Sequence, residues 1–374
     1  MLNKVIKYSY NDVSVVPSKI SEIEHRSECN PFYEDGFLPI FTAPMSSVVD
    51  ESNFDIFEEN KIHAILPRNC ELNVRIKYSL ENKWAAFSLA EFEDFFCDET
   101  NLQHYSKLDK KALIDIANGH MKKMYQLVSK AKKIHGDKLK IMIGNIANPE
   151  TYKEVWKCGA DYVRVGIGGG SCCITSSNTA INYPQASLIS EILDIKWNLI
   201  REFNLNNDEM PKIIADGGIR NYSDVVKAMA LGADYVMIGG LLGSLIESCG
   251  KMFTKCNDGS IMEIKNTDYE HIIENNGSFE LYNTHDKTTI NNLFKIVYGM
   301  ASKQGQLDII GKKCKTSEGI SKEIPVTTNL KTWVNNMEDY LKSAMSYLNL
   351  KHLHCFYLAQ VVLISNNAKE AINK

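Results

Sequence analysis

Eight short apolar runs, each followed by small or polar residues and then a helical stretch, constrain this sequence more than any other feature. They occupy residues 39–44, 63–66, 84–89, 112–117, 140–146, 162–167, 212–219 and 235–240. Runs without hydrophobic–polar alternation belong to strands buried on both faces, and their alternation with helices makes the sheet parallel. Such a sheet closes into a (β/α)8 TIM barrel or stays open and doubly wound. Periodicity does not separate the two, and the count of eight favours closure. A barrel of this kind takes roughly 250 residues, so one α/β domain covering residues 1–374, with additions, accommodates the chain.

The stretches 149–158 and 222–231 are amphipathic helices. Each runs into a Gly-Ala-Asp joint (Gly159-Ala160-Asp161 and Gly232-Ala233-Asp234), a glycine cap leading to the next strand. Residues 256–292 break the rhythm: they are rich in Asn, Asp, Thr and Glu. They carry the turn signals Asn257-Asp258-Gly259 and Asn275-Asn276-Gly277, and they alternate like a strand over 278–282. This segment reads as an insertion after strand eight that holds a β-hairpin. Residues 338–364 read as a C-terminal helix packed on the barrel.

Charge and cysteine usage exclude several classes. With 42 basic and 46 acidic residues, the net charge of −4 shows no excess suited to nucleic acid or to a membrane surface. The ten cysteines have neither CxxC nor zinc-finger spacing. No apolar leader follows Met1, and the late apolar stretch 355–364, broken by Gln360, is too short to span a bilayer. A cytoplasmic protein with reduced thiols is expected.

In such barrels the chemistry sits on loops at the strand C-termini, with phosphate commonly held after the last two strands. The loop after the sixth run reads Gly166-Ile167-Gly168-Gly169-Gly170-Ser171-Cys172-Cys173-Ile174-Thr175. Its glycines let backbone approach a ligand closely and turn N–H groups toward an anion. A reactive thiolate needs a setting of this kind, although a plain turn with an inert thiol reads the same way. After the seventh run, Asp216-Gly217-Gly218 offers a carboxylate for ribose hydroxyls beside phosphate-binding amides. After the eighth come Gly239 and Gly240. Ordinary glycine turns and a solvated aspartate would look similar, but their coincidence on the last two strands argues for a site.

In this order, Tyr10-Asn11-Asp12-Val13, Gly144-Asn145, residues 165–175 and 216–219, and Gly299-Met300 resemble the IMP dehydrogenase/GMP reductase family, from Tyr10 to about Pro325. The resemblance implies a purine-nucleotide oxidoreductase with Cys173 as nucleophile toward purine C2 and Thr175 assisting. Glu318, in Ser317-Glu318-Gly319, matches the acid paired with the threonine; without the motif it reads as a surface turn residue. Ser171, Gly218, Gly239, Gly240 and Tyr298 match phosphate contacts, and Asp216 matches the ribose contact. Met45, Gly299 and Met300 match the border of the base. Asp115, Asn118, Gly119, Gly166, Gly168, Lys315 and Ser317 match the cofactor side, with Asp115 at the nicotinamide end. The carbonyls of Gly168, Gly170 and Cys173 are candidates for a monovalent cation, K+. A homotetramer is the implied assembly.

Three features favour the reductase branch, which converts GMP to IMP and ammonia with NADPH, or NADH, as hydride source. Asp115-Ile116-Ala117-Asn118-Gly119 and Tyr183-Pro184-Gln185 resemble that branch. The dehydrogenases hydrolyse their adduct with an Arg-Tyr pair on a downstream flap, and no arginine follows Arg220 here. A dehydrogenase lacking the cystathionine-β-synthase-type modules, oxidising IMP to XMP with NAD, is the alternative. A silent nucleotide-binding barrel would not need Cys173, Thr175 and Glu318 together. The chain departs from the reductase pattern at Ser176-Ser177-Asn178, at Ala301 and at Lys315.

Overall fold

The computed structural model describes residues 5–98, 107–170, 172–255, 259–264, 271–275, 278–282, 289–290, 292–311, 316–326 and 328–372. A strand at Val13–Val16 (β1) precedes eight strands, one in each apolar run. These are β2 Ile40–Thr42, β3 Ile65–Leu66, β4 Trp84–Phe87, β5 Lys110–Asp115, β6 Leu139–Ile146, β7 Tyr162–Val165, β8 Lys212–Asp216 and β9 Tyr235–Ile238. They form one parallel sheet in the order β2-β9-β8-β7-β6-β5-β4-β3. The two ends of that order meet just before β3. There the Thr42 N–H donates to His63 O (2.9 Å) and the His63 N–H to Ile40 O (3.0 Å). The sheet is therefore a closed (β/α)8 barrel, and the open doubly wound alternative is excluded.

The period of two along each strand sorts the core into two layers. Outward residues such as Val163, Val165, Ile213 and Ala215 pack under the helices, while Phe41, Trp84, Leu113, Met142, Ile214 and Tyr235 fill the lumen. On β5, β7 and β8 the next residue of the inward column is charged: Asp115 above Leu113, Arg164 above Tyr162, Asp216 above Ile214. The lumen is thus apolar below and ionic at the strand C-termini.

After β9 the chain leaves the barrel earlier than the sequence suggested, and builds more than one hairpin. The strands are β10 Met252–Lys255, β11 Ile261–Ile264, β12 His271–Asn275, β13 Ser278–Tyr282, β14 Thr289–Ile290, β15 Leu293–Tyr298 and β16 Ser321–Pro325. They form two antiparallel sheets, ordered β11-β10-β15-β16 and β12-β13-β14. Strands such as β11 and β16 are largely solvent-facing, so they lack the continuous apolar runs that mark the barrel strands.

The C-terminal segment also differs from expectation. Its helix is Leu330–Tyr347, capped by Asn329, whose Oδ1 accepts from the Thr332 N–H (2.8 Å), so it begins before residue 338 and stops well short of 364. Asn349 in the left-handed region (φ 56°) redirects the chain. Gln360–Leu363 then forms a strand, β17, antiparallel to β1, because Val361 and Val362 suit the open edge that β1 presents. Among the described residues, no helix is long and apolar enough to cross a membrane.

Candidate active site

A single cleft opens where β5 to β9 end, enclosing about 250 Å³ and lined on one side by the loops after these strands. Its other wall comes from Met45 after β2, from Gly299, Met300 and Ala301 after β15, and from Glu318 and Gly319.

The loop after β7 carries Cys173, half-buried, with Sγ 3.2 Å from Thr175 Oγ1. The Thr175 hydroxyl lies 3.1 Å from Glu318 Oε2. Glu318 reaches this position because its backbone is woven against the cysteine loop. The Ile174 N–H donates to Glu318 O (2.9 Å), the Ile320 N–H to Cys172 O (2.9 Å), and Cys173 and Gly319 form an antiparallel bridge. The result is a continuous thiol–hydroxyl–carboxylate relay. Cys172 is buried and points away, its thiol 3.5 Å from Val297 O.

Behind the relay, Arg164 is held between two carboxylates. Its Nη1 donates to Asp115 Oδ1 (2.5 Å), while Nε and Nη2 donate to Asp216 Oδ2 (3.0 and 2.8 Å). Burial works against the guanidinium charge, but Asp216 and Asp115 more than offset it and raise its pKa. Asn145 Nδ2 also donates to Asp216 Oδ2 (2.6 Å). Gly144 is required here, since a Cβ on it would lie 2.5 Å from Arg164 Cβ. All these bonds reach Asp216 through one oxygen, Oδ2, and Asp216 lines the cleft.

The loops after β7 and β8 meet backbone to backbone. The Gly218 N–H donates to Gly169 O (2.9 Å), and a Cβ on Gly217 would come within 3.0 Å of Gly169 C. Gly239 and Gly240 open the four-residue helix Gly240–Gly243, where the first N–H groups have no partner within the helix.

Residues 101–371 match the family model described as IMP dehydrogenase / GMP reductase domain. The chain belongs to the IMP dehydrogenase/GMP reductase family. A GMP reductase of Staphylococcus epidermidis is 33% identical over 253 residues, 65% of this chain and 73% of the relative. One of Staphylococcus saprophyticus is 30% identical over 298 residues, 74% of this chain and 86% of the relative. One of Mesoplasma florum is 26% identical over 366 residues, covering 96% of this chain and 98% of the relative.

The structure brings most of the residues matched to the family into this cleft. Cys173, Thr175, Glu318, Asp216, Gly218, Gly239, Gly240, Gly299, Met300, Met45, Asp115, Gly166 and Gly168 all line it. Tyr298 is not among the lining residues: its hydroxyl donates to Asp308 Oδ2 (2.8 Å) and is pushed up to about 12 by burial and that carboxylate. Gly218 lines the cleft, but its N–H is engaged by Gly169, so a phosphate there would have to exchange that bond. Asn118 is exposed, Gly119 is packed on Asn145 O, and the Ser317 hydroxyl is turned to Gly319 O; none lines the cleft. Ser171 and Lys315 lie outside the described residues. Sequence reasoning missed Arg164. A lone arginine in an apolar strand run was the available signal, because a buried charge needs partners.

Proposed function

We propose that this chain is a GMP reductase, converting GMP to IMP and ammonia with NADPH through a covalent adduct on Cys173. The relay of Cys173, Thr175 and Glu318 carries the reading, and relatives of the same family named GMP reductase support it. Cys173, as thiolate, forms a bond to purine C2 as the bond from C2 to the exocyclic amine breaks. Thr175 and Glu318 deliver the proton with which that amine leaves as ammonia, which requires the hydrogen-bond reach seen between them. Asp216 Oδ1 accepts from the ribose hydroxyls. Gly239 and Gly240 offer N–H groups to the phosphate.

The same cleft is lined by Asp115, whose Oδ2 has no bonded partner among the described residues and suits the amide hydrogens of a nicotinamide carboxamide. When bound there, a nicotinamide dinucleotide supplies hydride to C2. Release of the thiolate from C2 then restores Cys173. No water need be activated, which fits a chain without arginine after Arg220. The candidate cation carbonyls fit only in part. Gly168 O accepts from the Ser176 hydroxyl (3.4 Å) and Gly170 O from the Cys173 N–H (3.0 Å), so two of the three carbonyls are already engaged. A homotetramer belongs to the same proposal and is read by light scattering.

The deciding experiment offers GMP with NADPH, and separately IMP with NAD, and follows nicotinamide absorbance. The expected result is GMP-dependent NADPH oxidation with IMP as product. Rapid multiple-turnover XMP production would overturn the reductase reading in favour of the dehydrogenase.

A further inference from the structure

Residues 7–12 form a strap clamped between the two helices that follow β7 and β8. On Gln185–Phe203, Glu191 pairs with Lys7 (2.5 Å), the Tyr8 N–H donates to Ser187 Oγ (2.8 Å), and the Ser187 N–H returns to Tyr8 O (3.1 Å). On Tyr222–Ala230, Lys227 Nζ donates to Tyr10 O (3.1 Å). The clamp places the Tyr10 ring beneath the site's glycine loops, where it is 3% exposed.

The ring stands on the side of Gly218 where a side chain would project. A Cβ on Gly218 would lie 3.2 Å from Tyr10 Cε2 and 3.3 Å from Cδ2. Gly217 and Gly218 are both at positive φ (100° and 82°), and Gly218 bonds to Gly169 on the side of the cysteine loop. Two consecutive glycines in this conformation are intrinsically mobile, so what packs on them sets their position. Burial, and then the Asp224 carboxylate, hold the Tyr10 hydroxyl far above its ordinary range, so the ring brings no charge toward a phosphate.

We propose that Tyr10 is a positioning residue of the nucleotide site: its ring backs Gly218 and keeps the Asp216-Gly217-Gly218 turn seated on Gly169, setting the phosphate end. This rests on the reading that a nucleotide phosphate sits among these glycines. A ring that only filled core would change stability without changing how strongly the protein prefers a nucleotide over its nucleoside.

The test measures calorimetric affinities of the protein for GMP and guanosine, in wild type, Tyr10→Phe and Tyr10→Leu. Because misplacing contact groups by about 1 Å can cost ~100-fold, Tyr10→Leu is expected to lose at least about tenfold in GMP affinity while guanosine binding changes less than about twofold. Tyr10→Phe, which keeps the ring, should stay near wild type. If Tyr10→Leu does not fold, Tyr10→Met takes its place. The proposal is overturned if the leucine or methionine variant keeps the GMP preference, if GMP and guanosine affinities fall together, or if Tyr10→Phe loses as much. A wild-type protein with no preference for GMP over guanosine would instead defeat the placement of the phosphate.

Discussion

Arg164 allows two carboxylates to share the upper lumen of a barrel. Asp115 and Asp216 each bond to it, and its side chain is 9% exposed. Removing one partner of such a buried set leaves uncompensated charge. Arg164→Met should therefore destabilise the fold by about 3–5 kcal/mol in urea unfolding. A loss below about 1 kcal/mol would mean that water already screens the two carboxylates. The two adjacent cysteines divide differently. Cys173 faces Thr175 in the cleft while Cys172 is turned to Val297 O. Cys173→Ala should abolish turnover and leave GMP binding within a few-fold, because the phosphate and ribose groups lie on other loops; Cys172→Ala should turn over near wild type. The reverse pattern would mean the nucleophile is misassigned.

The excursion β10 to β16 matters at the scale of elements because its returning chain delivers Glu318 to a threonine 143 positions away. β15 is anchored by Lys295, which is fully buried and donates to Ile246 O (2.9 Å), Ser248 O (2.6 Å) and Ser248 Oγ (2.8 Å). Burial pushes this lysine down from 10.5 to about 8. Between those values the unfolded chain holds a proton that the folded chain has lost. The cost of burying the charge is thus present below about pH 8 and is relieved as pH rises. Relative to Lys295→Met, wild-type stability should climb from about pH 8 to 10, by at most ~1.4 kcal/mol per pH unit. Denaturant titrations across that window check it, and a flat difference would refute the assignment. The strand pairing was not legible in the polar segment 256–292: β11, for example, turns Ile261, Met262 and Glu263 to solvent, so no buried apolar run marks it.

At the scale of the whole molecule, the barrel joins at β2 and β3, and both chain ends converge where β17 pairs β1 and the Ile364 N–H donates to Asp12 O (3.0 Å). Eight apolar runs sufficed to locate every barrel strand, since burial on both faces demands uninterrupted apolar sequence. The glycine loops were equally legible, since positive φ and bare backbone contact require glycine itself. Cys173 and Thr175 lie two residues apart on one loop, so local sequence already placed them together. Sheet closure, the Arg164 ion set, the bond from Tyr298 to Asp308, and the seating of Tyr10 beneath Gly218 were decided only by tertiary structure. Each depends on groups far apart in sequence meeting across a lumen or a loop junction. Local pattern records which face a residue takes, but not which distant residue waits there.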